Sequence, residues 1–233
     1  MLRVAIVSAC IALLVLAGVS IFFARTIYER IRGERPWGPH HPYYEADVLQ
    51  QSRRSEGLNG VIAFIGDSQI SGFPTWLVPG GAENFGIVGD KIDGTIYRLA
   101  KYDFSRARAV VVEIGINDWA ANAFSNFGVK YAALLRGVPK NVPVIAMAIM
   151  PLNRSASEHF SMDGVRNAIS KANSEIQQSC KKRVGCQFVD LTKQLSDADG
   201  ELLNAYEEGD GLHLSRQGYA VWLKGIPDIS GRH

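Results

Sequence analysis

The stretch Val61-Ile62-Ala63-Phe64-Ile65-Gly66-Asp67-Ser68-Gln69 decides the fold. Its first five residues are apolar and largely β-branched, without alternation, as expected of a strand covered on both faces. The run stops at Gly66, and Gly66-Asp67-Ser68 reads as a turn into a helix that exposes a serine at the carboxyl edge of a sheet. Two runs of the same character follow at Ala109–Ile114 and Val144–Ile149, and Gln187–Leu191 is a further candidate. Amphipathic stretches separate them: Lys91–Lys101, Val129–Arg136, Asp163–Cys180 and Ser215–Lys224, with Asp163 and Ser215 as N-caps. Strands alternating with helices predict a doubly wound α/β sandwich, and the roughly 175 residues from position 58 onward suit one such domain.

In that architecture ligands gather beyond the carboxyl ends of the strands, so the segments there are the ones to read for chemistry. Asn84-Phe85-Gly86-Ile87-Val88-Gly89-Asp90 is expected as a loop after a second strand, its glycines letting backbone approach a ligand closely. Gly115-Ile116-Asn117-Asp118 follows the third strand and carries a side-chain amide able to donate to developing negative charge. Asp210-Gly211-Leu212-His213 stands just before the last helix. A serine hydroxyl is a poor nucleophile until a base takes its proton, and an imidazole serves best when an acceptor on its other nitrogen fixes the tautomer. Asp210 can reach Nδ1 of His213 across one turn, leaving Nε2 to face Ser68. Each segment alone also has a plain structural reading, as a helix cap, a loop, an Asn-Asp turn or a helix-entry histidine. His159 is expected in a loop, His233 is terminal, and His40 and His41 sit in a proline-rich tether; none of the four receives a role.

Composition sets the outer limits. With 233 residues, 47% of them hydrophobic, the chain has the makings of a packed core rather than of a disordered segment. Lys+Arg 25 against Asp+Glu 23 leaves a net charge of +2, too little and too scattered for a nucleic-acid partner. Three Cys exclude a disulfide framework, and their spacing excludes a zinc ribbon. Cys180 and Cys186 flank an expected helix-to-strand turn, where either a disulfide or two unpaired thiols fit.

The amino-terminal quarter reads differently. Residues 4–24 carry no charge, and as a helix they would reach about 31 Å, roughly one hydrocarbon core. The run is longer than a signal-peptide core and lacks a small-x-small cleavage site, which favours an uncleaved membrane anchor. Cys10 is read as a small residue within that span. Arg25, Arg30, Arg32 and Arg35 behind it favour a cytoplasmic carboxyl-terminal domain, whereas a Cys180–Cys186 bridge favours an extracytoplasmic one, the reading taken here. Residues 25–57, with Pro36, Pro39 and Pro42, are assigned to a juxtamembrane linker containing a short helix over Tyr43–Arg54, and residues 58–233 to the domain.

Taken in order, Gly66-Asp67-Ser68, Asn84 to Asp90, Gly115-Ile116-Asn117-Asp118 and Asp210-Gly211-Leu212-His213 resemble the four blocks of the SGNH hydrolases, the GDSL esterases and lipases, over roughly residues 60 to 225. The resemblance implies a three-layer α/β/α sandwich with a five-stranded parallel sheet, flavodoxin-like, acting without metal or cofactor. It implies Ser68 as nucleophile, His213 as base, Asp210 as its orienter, and an oxyanion hole of the Ser68 N–H, the Gly89 N–H and the Asn117 side chain, with Gly86 the lesser alternative to Gly89. Gln69 replaces the family's usual Leu and Ile116 a common Thr; both substitutions are expected to affect packing or pocket shape alone. Asp67 and Asp118 are read as loop-structuring residues. Trp119 and Phe124 are candidates for an acyl wall or for core packing, and the loop from Pro151 to Met162 for a border of the substrate site. The activity implied is hydrolysis of a small-molecule, glycan or lipid-like ester through an acyl-serine. Acyl transfer to an envelope glycan by the same triad is the alternative, and an inactive binding module a third.

Overall fold

The computed structural model describes residues 42–120, 124–158 and 164–227. The uncharged run 4–24, the tether with His40 and His41, His159, Asp163 and His233 all lie outside the described residues. Among the described residues no helix is long and apolar enough to cross a membrane.

Five strands, β1 (Ile62–Gly66), β2 (Ala82–Gly86), β3 (Ala109–Glu113), β4 (Val144–Met147) and β5 (Cys186–Val189), pair in the order β2-β1-β3-β4-β5, every pair parallel. The helices are α1 (Pro42–Glu56), α2 (Ser68–Ser71), α3 (Ile92–Leu99), α4 (Ile116–Ala120), α5 (Phe127–Gly137), α6 (Val165–Lys181), α7 (Thr192–Leu195) and α8 (Arg216–Gly225). The order reverses at β1, whose two neighbours are reached by crossovers in opposite directions, so the carboxyl ends of β1 and β3 open onto the crevice where such sheets hold ligands.

The central strands are apolar up to their carboxyl ends, Gly66 in β1 and Glu113 in β3, because each buries both faces. Ala63, Ile65, Val110, Val112, Val144 and Ala146 point to one side, into a core closed by Leu134, Leu135, Ile169 and Ile176 of α5 and α6. Ile62, Phe64, Val111, Ile145 and Met147 point to the other, under Tyr219 and Trp222 of α8. The period of two thus distributes one apolar run between two layers. On the second side Phe73 stacks on Phe64 at 4.5 Å and meets the edge of Trp222 at 4.9 Å.

Three expectations change. The linker assigned to residues 25–57 ends too late, because α1 is part of the fold: Tyr44 and Val48 are buried, and Tyr44 donates to Asp90 Oδ1 at 3.0 Å. The polar helix has few apolar residues to announce this, and buried hydrogen bonds do the docking. Asn84-Phe85-Gly86 is the end of β2 rather than a loop after it. Gly164, not Asp163, occupies the N-cap of α6. Ser215 does cap α8, accepting from Gly218 N. Cys180 at the end of α6 and Cys186 at the start of β5 form a disulfide, with Cα atoms 5.3 Å apart.

Trp222 is 1% exposed, and its Nε1 meets no acceptor among the described residues, so it acts through volume alone. Trp222→Ala is expected to lower the free energy of unfolding by about 3–5 kcal/mol, and Trp222→Phe by far less because no hydrogen bond is lost. Urea unfolding of the full chain and both variants measures this.

Candidate active site

β1 ends at Gly66, and Asp67 caps the short α2 by accepting the Gln69 N–H at 3.0 Å, which leaves Ser68 as the first helical residue at the sheet edge. The turn is tight because α2 lies directly on β2: a Cβ on Gly86 would stand 2.1 Å from the Ser71 nitrogen. Asn84 ties the two together, its Nδ2 donating to Ile70 O at 2.5 Å and its Oδ1 accepting the Gly86 N–H at 2.8 Å.

The chain returns to Ser68 145 residues later. Between Tyr206 and Ser215 it folds back on itself, with Glu208 N donating to His213 O at 3.0 Å and Ser215 N to Tyr206 O at 2.8 Å. Asp210 Oδ1 accepts the backbone N–H groups of Leu212 and His213, both at 2.9 Å, so the carboxylate folds its own loop. Its Oδ2 lies 2.5 Å from His213 Nδ1, and His213 Nε2 lies 2.9 Å from Ser68 Oγ. A carboxylate can only accept, so Nδ1 carries the proton and Nε2 is the acceptor facing the hydroxyl. Burial works against the charge on Asp210, but hydrogen bonds from the His213 ring and from the His213 and Leu212 backbone outweigh it and hold the carboxyl below its ordinary range. The three side chains expected together therefore meet, half-buried, in hydrogen-bonded sequence.

Asn117 at the start of α4 is buried, and its Nδ2 donates to Asp90 O at 3.0 Å with Asp67 Oδ2 3.4 Å away. Gly89 has φ +75°, a left-handed conformation suited to glycine, in the loop that joins β2 to α3. Behind this loop Arg98 is fully buried: it donates to Asp90 Oδ2 at 2.7 Å, to Gly66 O at 2.6 Å, to Gln51 Oε1 at 3.1 Å and to Phe85 O. One guanidinium thus holds the carboxyl ends of β1 and β2 to the loop that presents Gly89 and supports Asn117.

Beneath Ser68 two further carboxyls are fully buried. Desolvation, then the charge of Asp67, drives the Glu113 carboxyl well above its ordinary range, and burial raises Asp67 as well. Were both ionised, Glu113 Oε2 would be buried without a partner; a proton held on Glu113 turns the contact into a donor–acceptor pair with Asp67. An acid at the end of the apolar run Ala109-Val110-Val111-Val112 is the sequence signal for this pair, since a buried strand has no other use for one. Asp118 accepts the Ile92 N–H at 3.1 Å, fastening α4 to α3 in the loop-structuring role expected of it.

Trp119 and Phe124 approach at 5.9 Å and continue through Phe127 into the core, a packing role for both rings. The part of the loop after β4 that is described packs against the segment that carries Asp210: Asn153 N donates to Gly211 O at 2.8 Å. A cleft of about 840 Å³ opens on the far side of that loop, between α6 and α7, and Ser68, Asp210 and His213 are not among its lining residues.

Residues 64–221 match the GDSL-like Lipase/Acylhydrolase family, and the chain belongs to it. No curated protein sequence matches the chain. Solved structures with the same fold include a GDSL-like lipase from Bacteroides thetaiotaomicron (18% identity, 78% of this chain and 95% of that one, TM-score 0.62). Two others are an acetyl-xylooligosaccharide esterase from Geobacillus (17%, 75% and 96%, 0.55) and the catalytic domain of a peptidoglycan O-acetyltransferase from Streptococcus pneumoniae (15%, 73% and 92%, 0.54). At such identities the likeness speaks for the fold alone. Members of the family are hydrolases that act on esters.

Burial, opposed by the Ile92 N–H, pushes the Asp118 carboxyl up to about 7. The folded state then holds a proton that an unfolded carboxyl releases near its ordinary value of 3.8, so the stability tied to this group is full below that value and is lost as pH rises to about 7. Asp118→Asn keeps the acceptor for Ile92 and removes the titration. Relative to the wild type it is expected to gain little at pH 4 and on the order of 1–3 kcal/mol by pH 8, measured by urea unfolding across that range. A constant difference at all pH values would contradict the assignment.

Proposed function

We propose that the protein is a serine esterase that cleaves carboxylic esters through an acyl-Ser68 intermediate. The observation that carries this is the continuous relay from Ser68 Oγ to His213 Nε2 at 2.9 Å and from His213 Nδ1 to Asp210 Oδ2 at 2.5 Å. Ser68 Oγ attacks the ester carbonyl carbon while His213 Nε2 takes its proton, and Asp210 stabilises the resulting imidazolium. The proton passes to the departing alcohol oxygen, leaving the acyl group on Ser68. Water then attacks the acyl carbon, His213 takes its proton, and its return to Oγ releases the acid and restores the serine.

The tetrahedral oxyanion is assigned to the Ser68 N–H, the Gly89 N–H and the Asn117 side chain. Gly89 is favoured over Gly86 because the Gly86 N–H already donates to Asn84 Oδ1 from within β2. Asn117 is supported by its bond to Asp90 O, which leaves the second Nδ2 hydrogen with only a long contact to Asp67 to give up. The second reading, acyl transfer to an envelope glycan, uses the same relay with a sugar hydroxyl replacing water, and the O-acetyltransferase fold neighbour favours keeping it.

The reading extends to location. The uncharged run 4–24 would anchor the chain in a membrane, and the Cys180–Cys186 disulfide supports an oxidising, extracytoplasmic compartment for the domain. Protein recovered from its native compartment without reductant should alkylate at one cysteine before reduction and at three after it. Alkylation of all three beforehand would place the domain in a reducing compartment.

Ser68→Ala is expected to lower kcat for short-chain p-nitrophenyl esters by about 10⁴-fold or more while leaving the unfolding curve in place. Undiminished hydrolysis by the variant would end the esterase reading. Adding a sugar acceptor separates the two chemistries: hydrolysis continues to give free acid, whereas a transferase diverts the acyl group onto the sugar.

A further inference from the structure

Ser68 and His213 belong to elements with no covalent reason to keep register, yet their contact is good to a hydrogen bond. The residue after the nucleophile supplies the missing constraint. Gln69 is 3% exposed, and its side-chain amide reaches the backbone on both sides of His213: Nε2 donates to Leu212 O at 2.6 Å, and Oε1 accepts from Leu214 N at 3.4 Å. The other edge of the same segment is taken by the fold-back, where Glu208 N donates to His213 O and Ser215 N to Tyr206 O. One edge of residues 212–214 therefore pairs with backbone and the other with a single primary amide that takes the place of a strand.

The geometry assigns Gln69 as a positioning residue that sets the height and rotation of the His213 ring over Ser68, an assignment that rests on the esterase reading above. A primary amide is the side chain for this task because it presents a donor and an acceptor side by side, matching a carbonyl and an N–H two residues apart. Leucine can meet neither. Leu212 and Leu214 are buried, so without Gln69 their inward-facing backbone groups would lack partners, and the loop would shift to find them. Tyr219 of α8 fixes the other end of the brace, its hydroxyl donating to Gln69 O at 2.8 Å. The substitution expected to alter packing alone thus reaches the base through its backbone.

The bond between Asp210 and His213 lies within one loop and survives any shift of that loop relative to α2, so losing the brace should affect proton transfer from Ser68 and little else. In the full chain, Gln69→Leu is expected to lower kcat, and the rate at which a fluorophosphonate labels Ser68, by about 10- to 100-fold together, with KM and the acidic limb of the pH profile unchanged. Gln69→Glu gives a second, chemically reversible test. Protonated, the buried acid offers the same donor and acceptor as the amide; ionised, it faces the Leu212 carbonyl with no donor. This variant should work like the wild type at low pH and lose activity as pH rises, through an alkaline limb that the wild type lacks.

A Gln69→Leu enzyme within about two-fold of wild-type kcat would overturn the assignment, as would one whose loss lies entirely in KM, the signature of a pocket-shape effect. So would a Gln69→Glu profile of wild-type form, a result that stands even where Gln69→Leu fails to fold. If the wild type neither turns over esters nor takes up the probe, the esterase reading falls and this assignment with it; a working wild type beside an unaffected Gln69→Leu sinks the assignment alone.

Discussion

The buried pair of Arg98 and Asp90 is the constraint on which the rest depends. Neither charge has access to water, and each is matched: Asp90 accepts from Arg98, Thr95 and Tyr44, while Arg98 also donates to the carbonyl ends of β1 and β2 and to Gln51. A pair so enclosed adds little net stability over an apolar substitute, but breaking it strands a charge at a cost of about 3–5 kcal/mol. What it secures is geometry. It fixes where β1 stops, where the Gly89 loop turns and where the Asp90 carbonyl meets Asn117. It also recruits α1, whose Tyr44 and Gln51 complete its hydrogen bonds.

On that floor the catalytic groups arrive from separate parts of the chain. Ser68 comes with the turn after β1, Asn117 with the turn after β3, and His213 with Asp210 on a loop folded by the carboxylate itself. The arrangement divides labour between charged and neutral hydrogen bonds. Asp210 keeps its charge in a half-exposed position, where backbone donors compensate it. Asp67 and Glu113, both fully buried, are pushed up chiefly by desolvation, and a proton held on Glu113 lets one carboxyl donate to the other.

Much of this was legible in the residues. The unbroken apolar runs from Val61, Ala109 and Val144 announced buried parallel strands, the polar segments after the first two named Ser68 and Asn117, and the segment before the last helix named Asp210 and His213. What escaped was carried by hydrogen bonds rather than by hydropathy. The helix over Pro42–Glu56 is polar: Tyr44, Val48, Gln51 and Ser55 line its buried face at helical spacing, but half of them are polar, so hydropathy does not mark the docking face. Gln69 looked like a swap of one filler for another because its partners, Leu212 O and Leu214 N, are backbone atoms some 145 positions away. Glu113 was visible as an acid ending a buried strand, but its neighbour Asp67 belongs to a different strand end and could be paired with it only in three dimensions. The strand end at Gly86 was misplaced because Ala82-Glu83-Asn84 is half-exposed on an edge strand and mixes polar with apolar residues.

The central claim is that Ser68 is an activated nucleophile. Intact-mass analysis and peptide mapping after incubation with a fluorophosphonate test it most directly, because an unactivated serine does not react. The account predicts a single adduct, on Ser68, in the folded wild type, and its loss in His213→Ala. No adduct on folded protein, or one on another residue, would contradict it.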